Sequence, residues 1–110
     1  MTTLTMARRV PTREELTEAG DYSGPHPITL TGGQEGRVVW FLLPLHEGAD
    51  QYDHATPGSG LHGVYEPPWV FRECADGSLE IRESIACGRG TPDGEYWHGY
   101  LDEGNSWRQV

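Results

Sequence analysis

Ser84 and His98 are the pair of side chains in this sequence best suited to chemistry. A serine hydroxyl becomes a nucleophile beside a base, and an imidazole that titrates near neutral pH fits that role. The register argued below sets the two directly across from each other on neighbouring antiparallel strands. Cross-strand neighbours have Cβ atoms about 4.5–5.5 Å apart, within reach of a hydroxyl–imidazole hydrogen bond. Together they could hydrolyse a peptide or an ester. An orienting carboxylate is not identifiable, because Glu83 should point to the opposite face and Glu80 lies two pairs away. The glycines of CGRG, residues 87–90, could present N–H groups to an oxyanion. The competing reading is an ordinary polar pair on a sheet.

Metal ligation is the second chemistry to weigh. His46, His54 and His62 share a polar stretch with Glu47, Asp50 and Asp53, and Cys74, Cys87 and His98 add softer donors. No Cys-x-x-Cys and no helical His-x-x-x-His occurs, so the strong zinc spacings are missing. Cys74 is expected beside a turn and Cys87 at the far end of the next strand, too far apart to share a metal or a disulfide. No metal site and no cofactor is assigned, since GSG and GRG match no complete phosphate-binding loop. A third possibility is binding: Tyr96, His98, Tyr100 and Arg108 should share one sheet face, and tyrosine and arginine are enriched at protein contacts.

Strands must position all of these. In WVFRECADGSLEIRESI, a loop at residues 75–77 puts Gly77 at the left-handed position of a bulged hairpin. Phe71 then faces Ile81 and Arg72 faces Glu80, with Trp69, Phe71, Leu79, Ile81 and Ile85 on one side. In YWHGYLDEGNSWRQV, a loop at residues 102–104 sets Gly99 opposite Trp107 and gathers Trp97, Leu101 and Trp107 on one face. If the link at residues 88–94 lets Cys87 pair with Glu95, then Ile85 meets Trp97, Ile81 meets Leu101 and Ser84 meets His98.

Upstream, PTREELTEAGD reads as one short helix, with Thr12 and Glu15 in capping-box spacing and Gly20 as its stop. DYSGPHP reads as an extended linker because of its prolines. Two strands around a glycine-rich turn follow. Residues 38–43 are apolar on both faces, which predicts a central strand covered on both sides. The expectation is a single domain over residues 1–110: a helix and arm at 1–27, then a β core at 28–110 with a long loop at about 46–62. The fold class is mostly β, an antiparallel meander forming a small sandwich or partly closed roll.

The net charge is −9, with only eight basic residues, which argues against nucleic acid as partner. Only 35% of residues are hydrophobic, so the four tryptophans and five tyrosines must supply much of the core. No apolar run is long enough to span a membrane, and MTTLTMARRV lacks the apolar centre of a signal peptide, so a cytoplasmic location is expected.

The C-terminal part of the chain resembles a group of small proteins from actinobacteria, their phages and other bacteria. The shared pattern is a Trp-led strand, Pro-Ser-Ile or Pro-Ser-Val, a histidine followed by an aromatic and an aliphatic residue, then Asp-Gly and a last strand. Trp69, Ser84, Ile85, His98, Tyr100, Leu101, Gly104 and Trp107 fill those places. Glu83 stands where the pattern has proline, Trp97 where it has a residue such as cysteine before the histidine, and the N-terminal cysteine pair is missing. In some of these proteins the serine and histidine are suspected of peptidase-like chemistry, which the resemblance would carry to Ser84 and His98. Phages carry many such small accessory proteins, so the resemblance favours a binding or structural role. The leading expectation is therefore a non-enzymatic, phage-borne accessory protein that binds a protein partner or self-assembles through an aromatic-rich sheet face. A Ser/His hydrolase and a metal-binding module are the alternatives.

Overall fold

A computed structural model describes residues 3–44, 61–87 and 97–109. Among these residues nine strands form two sheets. They are β1 (Thr3–Met6), β2 (Arg8–Arg9), β3 (Asp21–Thr29), β4 (Glu35–Leu42), β5 (Leu61–Glu66), β6 (Val70–Glu73), β7 (Leu79–Cys87), β8 (Trp97–Asp102) and β9 (Ser106–Gln109). The five-stranded sheet runs β1-β9-β8-β7-β6, and the four-stranded sheet runs β2-β3-β4-β5. All pairings are antiparallel except the two-residue contact of β2 with β3. The chain changes sheet at Ala7, between β1 and β2, and again at Pro67-Pro68, between β5 and β6.

The sheets pack face to face as a sandwich. Tyr22, Val39, Phe41 and Val64 from one meet Phe71, Leu79, Ile81, Ile85, Trp97, Leu101 and Trp107 from the other in one buried cluster. Trp107 is its hub. Its ring lies 5.0 Å from Phe41, 5.5 Å from Trp97 and 6.3 Å from Tyr22, and its indole N–H donates to the Gly20 carbonyl at 2.8 Å.

The β6–β7 hairpin has the expected register. Phe71 faces Ile81, Arg72 faces Glu80 with an ion pair at 2.9 Å, and Gly77 has φ +87. Three other expectations are corrected. First, residues 12–20 do not form a helix; one 3-10 turn, Arg13–Glu15, stands there, and Leu16 is already extended. Within residues 12–20 Leu16 and Ala19 are the only apolar side chains, too few to give a helix a face to bury. The Asp21 carboxylate also takes the Thr17 and Glu18 N–H groups, which fixes that backbone as a loop.

Second, DYSGPHP is no linker but most of strand β3. Beyond its two-residue contact with β2, one side of β3 is a sheet edge, so Pro25 and Pro27 forfeit no ladder bond there. Third, the last two registers shift. Ile81 does face Leu101, but a bulge follows, and Ile85 faces Gly99, Ala86 faces His98 and Cys87 faces Trp97. Glu83 sits in this bulge with φ +75, a conformation closed to proline. In the β8–β9 hairpin Asp102 faces Ser106, so Leu101 opposes Trp107 and Gly99 opposes Gln109. Asn105, with φ +57, takes a left-handed place in that turn beside Gly104. Both shifts keep alternation in phase, and Trp97, Leu101 and Trp107 remain buried together.

Gly99 is tightly enclosed, by Trp97 rather than by Trp107. A Cβ there would lie 2.7 Å from the Trp97 ring and would collide with the Arg108 carbonyl. Backbone cannot yield as a side-chain tip can, so Gly99→Ala should cost about 2–3 kcal/mol by overpacking. A thermal melt checks this, and an unchanged midpoint would contradict the packing.

Candidate functional site

The structure separates Ser84 from the position across from His98. Ala86 occupies that place, two residues further along β7. The displacement comes from the Glu83 bulge. Ser84 is half-buried, and its carbonyl accepts the Trp69 indole N–H at 3.1 Å. The directly opposed nucleophile–base geometry expected from the sequence is therefore corrected. His98, Tyr100 and Arg108 are half-buried on β8 and β9, on the side away from the core, whereas Tyr96 lies outside the described residues. Tyr100 and Arg108 face each other directly, with the guanidinium 4.3 Å from the ring centroid. Arg108 also pairs with Asp102 at 2.9 Å. With Glu80, Arg82 and Glu83 they line a shallow depression of about 310 Å³. The outer face of the five-stranded sheet is thus a polar network, continued by the Arg72 pairs with Glu80 and Glu103.

His46, Glu47, Asp50, Asp53 and His54 lie outside the described residues. Among the described residues, no three of His, Cys, Asp and Glu gather as metal ligands. Cys74 is a buried free thiol. No helix among them is long and apolar enough to cross a membrane.

A different serine–histidine pair does meet, Ser23 with His26. The Ser23 hydroxyl lies 2.7 Å from His26 Nε2, brought there by the irregularity at residues 24–25. Ser23 is fully buried, so no substrate can reach it, and the pair fixes the bulge instead. The adjacent crevice, about 710 Å³, is lined by Arg8, Arg9, Gly24, His26 and Gly77 among others. Its cations are already engaged. Arg9 grips both oxygens of Glu73 at 2.6 and 2.9 Å and reaches the Gly24 and Gly77 carbonyls. Arg8 binds both oxygens of Asp21 at 3.1 and 2.7 Å. Arg9–Glu73 thus joins the two sheets and Arg8–Asp21 ties β2 to β3, so both arginines of the crevice are already paired.

The outer face of the four-stranded sheet gathers apolar side chains from β4 and β5. β4 sends Val39 and Phe41 inward, so Val38, Trp40 and Leu42 face outward. From β5, Tyr65 stands opposite Val38, and Leu61 opposite Leu42. Gly63, opposite Trp40, makes room for that indole, because a Cβ there would lie 2.8 Å from its ring. Trp40 and Tyr65 meet edge to face at 6.5 Å, and the Arg13 guanidinium lies 5.0 Å from the Trp40 ring. Beside Tyr65, a groove of about 520 Å³ is lined by Ile28, Thr29, Leu30, Thr31, Pro67 and Pro68. The signal in the sequence was the doubly apolar run at residues 38–43. That run predicts a strand covered on both sides; in the structure Val39 and Phe41 join the core, and on the opposite face Val38 is 2% exposed while Trp40 and Leu42 are half-buried.

His62 points the other way, toward the interior, with its ring 5.8 Å from Phe41. Its Nε2 is buried and meets no polar atom of the described residues, and burial pushes its pKa below the ordinary histidine value. Between that lowered value and about 6.5 the unfolded chain holds more protons than the folded one, so stability is full above about pH 6.5 and falls as pH drops below it. Urea midpoints at descending pH should show this loss, and His62→Phe should remove it. The same loss persisting in that variant would contradict the assignment.

No family model matches the chain, and neither a curated protein nor a solved structure is significantly similar to it.

Proposed function

We propose that this protein is a non-enzymatic accessory protein, of the kind phages carry, that binds a protein partner through the aromatic outer face of its four-stranded sheet. The observation that carries this reading is that face itself: Trp40, Tyr65, Ile28 and Leu30 are half-buried there, on a chain with a net charge of −9. Apolar surface gathered in one place on an otherwise charged protein is the usual mark of a contact site. The displacement of Ser84 from His98, and the sealing of Ser23 beside His26, favour binding over hydrolysis.

Light scattering over a concentration series, with affinity capture from a host lysate, tests the reading. A partner captured by the native chain and lost from Trp40→Ser supports it. A strict monomer that captures nothing would contradict it. So would labelling by a broad serine-hydrolase probe that disappears in Ser84→Ala.

A further inference from the structure

We infer that the groove between Tyr65 and the Pro67-Pro68 turn accepts a cationic, apolar peptide segment of the partner: one or two large aliphatic or aromatic side chains flanked by arginine or lysine. The inference rests on the binding reading above and specifies its ligand. The floor and walls are Ile28, Leu30, Tyr65, Pro67 and Pro68, which offer apolar contact. Leu30 reaches this wall because Gly36 has no side chain; a Cβ there would lie 2.7 Å from the Leu30 side chain.

Charge selects the rest of the ligand. The basic residues of the chain are all arginines. Among the described residues Arg8, Arg9, Arg37, Arg72, Arg82 and Arg108 each pair with a carboxylate. Arg13 lies over Trp40 and is followed directly by the exposed Glu14 and Glu15. At the groove itself, exposed Glu35 stands opposite Thr29 of the wall. The exposed charge placed at the groove wall is therefore the Glu35 carboxylate, which would repel an acidic segment. A second copy of this chain, also at −9, would be repelled. A basic segment gains attraction at the rim while its apolar side chain leaves water in the groove.

A random peptide library selected on the immobilised full-length chain tests this. Enriched sequences should carry a large apolar residue next to arginine or lysine. Synthetic peptides made from them should bind about tenfold more weakly to Tyr65→Ser than to the native chain. Their affinity should also fall on raising salt from about 50 to about 500 mM, as the rim charges are screened. Glu35→Lys, which leaves the apolar walls intact, should weaken the same peptides. A selection that enriches nothing, or enriches acidic or uncharged peptides, or peptides that bind Tyr65→Ser undiminished, would overturn the inference. If the lysate partner is still captured by Tyr65→Ser, the groove is wrong and the binding reading survives. If nothing is captured at all, both fall.

Discussion

Trp107→Ala is expected to lower the free energy of unfolding by about 4–5 kcal/mol, the upper end for removal of a large buried aromatic. Trp107 is 1% exposed and touches Tyr22 and Phe41 across the sandwich as well as Trp97 within its own sheet. Alanine would leave a cavity between the sheets that neither can close without breaking its ladder. The loss of the indole N–H also leaves the Gly20 carbonyl without that donor. Small domains hold about 5–15 kcal/mol in total, so this single change should consume a large part of it. Urea unfolding followed by far-UV circular dichroism reads the effect. A loss below about 2 kcal/mol would mean that the sheets do not meet at Trp107.

Asp21→Asn should cost about 3 kcal/mol, because it removes the charge from a buried, fully bonded group. The Asp21 side chain is 2% exposed. It accepts four bonds, two from Arg8 and one each from the Thr17 and Glu18 N–H groups. Burial alone would raise its pKa, but the Arg8 guanidinium and those two N–H groups outweigh it and hold the carboxyl below the ordinary range. The folded pKa is therefore depressed. The stabilisation is present above the unfolded value of about 3.9 and is lost as pH falls through the folded one. Native and Asp21→Asn proteins should differ most near neutral pH and converge in strong acid. A difference that stays constant with pH would show that the lost term is packing, not charge.

How much of this was legible in the sequence depended on whether a local signal or a long-range one decided each feature. Asp76-Gly77 fixed the β6–β7 register, because turn chemistry and alternation agree there and the Arg72–Glu80 pair follows. The next register needed the bulge at Glu83, a left-handed residue that is not glycine and so carries no mark. Asn105 hid the shift in the last hairpin in the same way. Both shifts preserve the faces, which is why the core could be read while the pairing of Ser84 and His98 could not. DYSGPHP looked like a linker because its prolines obscure a strand whose outer edge is largely unpaired. The Trp40 face was visible as the doubly apolar run at residues 38–43, but what lies over it is a property of the layers and not of the strand.

The most direct test compares the two outer sheet faces. Partner binding would be measured for the native chain, for Trp40→Ser/Tyr65→Ser on the four-stranded sheet, and for Tyr100→Ser/Arg108→Ser on the five-stranded sheet, each first shown to melt cooperatively. Binding lost in the first pair and kept in the second is the predicted result. Binding kept in the first pair and lost in the second would place the contact on the Tyr100–Arg108 face and contradict the account.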